Sequence, residues 1–121
     1  MLEDEALTYR IRGCVFEVYR QLGHGFLEKV YERALMQEFQ LQGLKARSQA
    51  AMMVGYKGAV IGEYLADIIV EDRVVLELKA QIEMPRLAEA QLLNYLKAGN
   101  IKLGLLVNFA YPRATIKRFV T

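Results

Sequence analysis

Asp67, Glu77 and Lys79 are the residues whose types and spacing could do chemistry together. Asp67 heads the apolar run 68–70. Glu77 and Lys79 alternate with Leu76 and Leu78 beyond a short polar break, Glu71-Asp72-Arg73. Two apolar, β-branched runs around so short a break read as a hairpin. With 71–73 as the turn, Val70 faces Val74 and Asp67 falls directly opposite Glu77, their Cβ atoms about 4.5–5.5 Å apart. A two-residue turn would shift that pairing by one residue. Side chains alternate along a strand, so Lys79 shares the face of Glu77. Two carboxylates and an ammonium would then sit inside a largely buried sheet. Like charges directly opposite one another destabilise a sheet, and a buried charge is costly unless paired. Lys79 can offset one carboxylate. A divalent cation held by Asp67 and Glu77 can offset the rest, and carboxylate oxygens plus water are the ligands Mg²⁺ prefers. The plainer alternative is a buried ion pair of Lys79 with Asp67 or Glu77 and no metal.

Two further groups gain meaning only beside such a site. Glu28 and Tyr31 are three residues apart and share a helix face, and Tyr31 lies on an apolar stripe that would bring Glu28 toward the core. Taken alone, Glu28 is an ordinary first-turn acid serving the helix dipole. Gln91, Asn94 and Tyr95 share one polar edge of an otherwise apolar helix. They could hydrogen-bond the sheet ends, or hold a phosphate or an attacking water.

The elements that must position these residues follow from periodicity. Apolar residues at three- and four-residue steps predict helices over about 5–21, 26–42 and 85–98, with Gly43 and Gly99 as C-terminal stops. Strands are expected over 44–54, 59–70 and 74–80 as an antiparallel meander. The segment 101–109, apolar on both faces, reads as a central strand covered on two sides, and 114–120 as a short closing strand. The order α-α-β-β-β-α-β-β describes one α/β domain, 1–121, on a mixed sheet.

Composition narrows the chemistry. The chain has 121 residues, 54% of them hydrophobic and 25% charged, which is globular. One cysteine, Cys14, and one histidine, His24, exclude an internal disulfide, a multi-cysteine zinc or iron–sulfur site, and a histidine-rich metal site. Any metal must rest mainly on carboxylates. Uncharged stretches such as 48–56 fall well short of the ~20 residues of a membrane span. Glu3, Asp4 and Glu5 stand where a secretory signal would be basic, so a cytoplasmic protein is expected. The net charge of +2 is too small to announce a nucleic-acid binder, but no acid follows Glu89, leaving Lys97, Lys102, Arg113, Lys117 and Arg118 unopposed in sequence. That stretch is either a solvated face or a basic flank beside an acidic centre. Cys14 reads as a small buried hydrophobe, Met52 and Met53 as strand packing, and His24, between two glycines, as a loop residue. Lys45 and Arg47 suit either a solvated edge or a phosphate track.

The motif Gly25-x-x-Glu28-x-x-Tyr31 resembles the signature of the GxxExxY protein family. The likeness extends through Gly62-Glu63-Tyr64-x-Ala66-Asp67, Glu77-Leu78-Lys79-Ala80, Ala90-Gln91-Leu92-Leu93-Asn94-Tyr95-Leu96 and Gly104-Leu105-Leu106-Val107-Asn108-Phe109, from about residue 7 to 120. The family is placed in the PD-(D/E)xK nuclease superfamily, with a restriction-endonuclease-like core. The resemblance implies that Asp67 is the superfamily's aspartate, that Glu77 and Lys79 are its E-x-K pair, and that Glu28 is the acid contributed by the first core helix. Gln91 and Tyr95 match the Q-x-x-x-Y element of the RecB-like branch. Two positions depart from the pattern: Ala66 replaces the proline before the aspartate, and Ala88 stands where many members carry a histidine. The function implied is metal-dependent hydrolysis of phosphodiester bonds in DNA or RNA, with Asp67, Glu77, Glu28 and the Leu78 carbonyl holding Mg²⁺ or Mn²⁺. Lys79 would then stabilise the charge growing at phosphorus, while Gln91 and Tyr95 position the phosphate or the lysine. The alternatives are a non-catalytic nucleic-acid- or protein-binding module on the same core, or a metal serving stability alone. A chain that is nearly all core leaves little to select a substrate, which a homodimer or a partner subunit would supply.

Overall fold

The structure, a computed structural model, describes residues 2–121; Met1 lies outside the described residues. The elements run α1 (Leu2–Leu22), α2 (Glu28–Leu41), β1 (Ala46–Tyr56), β2 (Ala59–Val70), β3 (Val74–Lys79), α3 (Arg86–Gly99), β4 (Leu103–Phe109) and β5 (Ala114–Val120). Their order is the one expected from periodicity. Among the described residues no helix is long and apolar enough to cross a membrane.

The strands form a five-stranded sheet in sequential order, β1-β2-β3-β4-β5. All neighbours are antiparallel except β3 and β4, which run parallel and are joined by α3. Parallel neighbours need such a crossover. One face of the sheet packs under α1 and α2 through Ile11, Val15, Tyr31, Leu35, Phe39, Leu76 and Leu105. The other packs under α3 through Leu92, Leu96, Ile69, Val75 and Leu106. β4 is covered on both faces and buried along its whole length, as its unbroken apolar run predicts.

Helix ends explain the shifted boundaries. Gly43, at φ +75°, closes α2 with Leu44 N–H donating to the Phe39 carbonyl at 2.8 Å. This αL ending uses residues 43 and 44, so β1 begins at Ala46 and not at 44. At α3 the left-handed position is taken by Asn100 (φ 57°), with Ile101 N–H donating to the Leu96 carbonyl at 3.1 Å. Gly99, expected to stop this helix, is instead its last residue, and it makes room for Met52 of β1.

The sheet turns over part-way along β1 and β2. Ile68 and Val70 lie in the core under α1 and α2, whereas Tyr64 and Ala66 lie with the core under α3. All four are even positions, so strict alternation breaks between residues 66 and 68. β1 does the same: Ala46 packs with the first core, Ala50 and Met52 with the second. Ser48 pairs with Ile68 and Ala50 with Ala66, which sets Gln49 opposite Asp67 at the turnover. Gln49 has φ +50°, a left-handed conformation that accomplishes the reversal on β1.

Candidate functional site

The β2–β3 ladder runs Val70↔Val74, Ile69↔Val75, Ile68↔Leu76 and ends there. The three-residue turn therefore sets the register anticipated, and the next opposed pair is Asp67 and Glu77. Here carboxylates replace the missing carbonyl acceptors. Asp67 N–H donates to Glu77 Oε1 at 3.2 Å, and Leu78 N–H donates to Asp67 Oδ2 at 2.8 Å. The strands separate at this point, and each acid satisfies a backbone donor that the split would orphan. Asp67 Oδ1 and Glu77 Oε2 remain outside these two bonds.

Burial lifts the Asp67 carboxyl above its ordinary range; the Leu78 N–H draws it back, Glu32 pushes it further up, and Lys79 opposes. Glu77 is pushed up to about 7, by burial first and by the Asp67 charge second, against the pull of the Tyr64 hydroxyl, the Asp67 N–H and Lys79. Two acids this close in a half-buried site cannot both ionise freely, so one proton is retained between them toward neutrality. Lys79 is half-buried and level with Asn108 of β4. Asn108 donates from Nδ2 to the Gln81 carbonyl at 2.8 Å and accepts the Gln81 N–H at 3.0 Å, pinning the chain as it leaves β3.

Two residues of the site were not evident from the sequence. Tyr64 lies near enough to Glu77 and Asp67 to feel the charge of both, and its ring stacks on Tyr95 with centroids 3.6 Å apart and planes 2° from parallel. Burial first, and then the negative charge of Glu77, drive its phenol far above the usual range. In a strictly alternating strand residue 64 would face away from residue 67; the turnover brings them together. Glu32 of α2 is the other. It is 6% exposed, bonded to Lys29 Nζ at 3.0 Å and to Gln49 Nε2 at 2.8 Å, and it acts on Asp67.

Glu28, expected to turn inward with Tyr31, is instead exposed in the first turn of α2. Glu28 falls within the angular stripe of Tyr31, Leu35 and Phe39, and Glu32 at its edge, so depth along the helix, not angle, leaves Glu28 exposed and Glu32 buried. Residues 28–30 of the first turn are all exposed, and Glu32 in the second turn meets Gln49 of β1. Gly25 and Tyr31 of the same motif build the α1–α2 turn. Gly25 sits at φ +102°, and the Tyr31 hydroxyl donates to the Gly23 carbonyl at 2.6 Å and accepts the Phe26 N–H at 3.3 Å. The Tyr31 ring stacks on Phe109 at 4.2 Å.

On α3, Tyr95 stacks on Tyr64, while Gln91 and Asn94 are exposed. Among the described residues no hydrogen bond ties Gln91 to Asp67, Glu77 or Lys79. Lys117, read as unopposed, pairs with Glu89 at 3.0 Å because β5 lies beside α3. Lys97, Lys102, Arg113 and Arg118 are exposed.

Among the described residues no three of His, Cys, Asp and Glu converge closely enough to hold an ion. A cation here would rest on Asp67 and Glu77, with carbonyl and water oxygens completing its shell. Two adjacent carboxylates with only hard oxygen donors fit Mg²⁺ or Mn²⁺, since Mg²⁺ usually binds one or two carboxylates and keeps several waters.

A solved structure titled "Crystal structure of SSO0001" shares this fold, with a TM-score of 0.60 and 19% sequence identity over 76% of this chain. The match covers 48% of that protein, so the chain spans about half its length. No curated protein matches the sequence. The model of the PD-(D/E)XK nuclease superfamily, in contrast, matches residues 5–119, from α1 into β5. On that match the chain belongs to the PD-(D/E)XK nuclease superfamily.

Proposed function

We propose that this protein is a metal-dependent nuclease that hydrolyses phosphodiester bonds in DNA, built on Asp67, Glu77 and Lys79. The observation that carries the reading is the crossed pair of acids where β2 leaves β3, with a lysine two residues further along β3. Asp67 and Glu77, with the Leu78 carbonyl, would hold Mg²⁺ or Mn²⁺. When bound, the ion polarises a phosphate oxygen and lowers the pKa of a bound water. Lys79, on the face of Glu77, would orient the attacking water and stabilise the charge developing on the phosphorus oxygens. Glu32, held by Lys29 and Gln49, faces Asp67 from α2 and takes the place that the family pattern gives to Glu28. Gln91, exposed on α3, contacts the phosphate backbone.

The order of motifs from Gly25 to Asn108 supports placement in the GxxExxY family and its RecB-like branch, acting in the cytoplasm. β5 is an edge strand, and a homodimer paired along it would present two sites to one duplex.

The test is incubation of labelled single- and double-stranded DNA and RNA with Mn²⁺ or EDTA, beside a Glu77→Gln control. Mn²⁺-dependent products that vanish in EDTA and in the variant support the nuclease. Binding without products in any arm overturns it in favour of a non-catalytic module.

A further inference from the structure

Toward its C-terminal end α2 presents one stripe of side chains, Arg33, Met36, Gln37 and Gln40, spaced three and four residues apart. This stripe faces the entry of β1. Together with Gly43, Leu44, Lys45 and Ala46 it encloses a surface groove of about 610 Å³. Met36, Leu44 and Ala46 pack in or against the core and make an apolar floor, while Arg33, Gln37, Gln40 and Lys45 are exposed. No carboxylate lines the groove. Glu71 Oε2 accepts the Lys45 N–H at 2.5 Å but stands outside the lining. The neighbouring cations Lys29 and Arg47 are paired with Glu32 and Asp72. Among the described residues the Arg33 guanidinium and the Lys45 ammonium have no such partner.

The groove leads to the acids. Glu32 precedes Arg33 and accepts from Gln49, which stands opposite Asp67. From that point α2 and β1 run in opposite directions, so Arg33 lies at the acid end and Gln40 with Lys45 at the other. Seven helical steps from Arg33 to Gln40 cover about 10 Å, the rise of about three phosphates on one DNA strand. Resting on the nuclease reading above, we infer that this groove holds the phosphate backbone of the DNA strand whose scissile bond lies at Asp67 and Glu77, with Arg33 and Lys45 as its phosphate contacts. Gln37 and Gln40 donate hydrogen bonds between them. Such contacts fix a strand's register without reading its bases.

The test is fluorescence anisotropy of a labelled DNA duplex with the full chain in EDTA, where nothing is cut, across a salt series. Each neutralised phosphate adds about 0.9 to the slope of log affinity against log salt. Arg33→Gln and Lys45→Gln should each weaken binding and lower that slope by about 0.9, and the double variant by about twice as much. Both side chains are exposed, so melting temperatures should stay at the wild-type value. Lys97→Gln combined with Lys102→Gln removes the same charge near the start of β4, away from the acids, and should keep the wild-type slope. A wild-type slope and affinity in the Arg33/Lys45 double variant overturn the inference. An equal loss in the Lys97/Lys102 variant does so too, by reducing the effect to net charge, as does a wild-type chain that binds no DNA. If the groove variants lose binding as expected but the wild type cuts no DNA with Mn²⁺, the nuclease reading fails and the groove stands. If the wild type cuts while the double variant keeps its slope, the reading stands and the groove fails.

Discussion

Glu77 is the residue on which burial, a neighbouring carboxylate, a phenol and a backbone donor all converge, and its protonation makes the site pH-sensitive. Its carboxyl is pushed up from 4.5 to about 7. The metal-free native state therefore binds a proton in this interval that the unfolded chain has already released. By linkage, that contribution is fully present below pH 4.5 and is lost as pH rises through about 7. Urea unfolding of the metal-free protein should show stability declining across this range, and Glu77→Gln, which cannot titrate, should flatten the decline. Lys79 has a different part. Among the described residues it makes no hydrogen bond or ion pair, so removing it leaves the acids' backbone bonds intact. Lys79→Ala should retain Mn²⁺ binding by calorimetry while cleavage falls about 10²–10³-fold, the scale for loss of one transition-state charge stabiliser. Retained cleavage would remove Lys79 from the mechanism.

At the level of elements, the packing of α3 on the sheet depends on two glycines that respond differently to a methyl group. A Cβ on Gly104 of β4 would lie 2.9 Å from Leu96 Cδ1 and 3.2 Å from Leu92 Cδ1, both in the core under α3. Gly104→Ala should cost about 1–3 kcal/mol by overpacking, read from denaturant midpoints. A Cβ on Gly99 meets the terminal methyl of Met52, which can swing aside, so Gly99→Ala should lie near neutral in the same assay. Most elements were legible because their cause is local. The Glu71-Asp72-Arg73 turn sets the register of β2 and β3, and the unbroken apolar run of β4 gives its two-sided burial. Tyr64, Gln49 and Glu32 were not legible, because the reversal at Gln49 and Asp67 defeats period-two alternation. No run of residue types announces a single left-handed glutamine inside a strand. The first-turn Glu28 misled for a related reason, since helical angle is written in sequence and depth under a sheet is not.

Across the whole molecule, α1 and α2 cover one face of the sheet and α3 the other, and the acids lie where the sheet passes from one core to the other. An ion at that junction would tie β2 to β3 and so stabilise the fold as well as serve chemistry. Mn²⁺ should raise the melting temperature at pH 8, where Glu77 has released its proton, and much less at pH 5, where a proton competes for it. An equal rise at both values would place the ion elsewhere. The crossed bonds from Asp67 to Leu78 and from Glu77 to Asp67 also bear on how such a chain would change over generations. A lineage that abandoned cleavage would still need acceptors at both positions to close the split sheet, so the acids or their amides would persist as fasteners. Lys79 fastens nothing, and its drift to an unrelated residue would be the first mark of a retired enzyme.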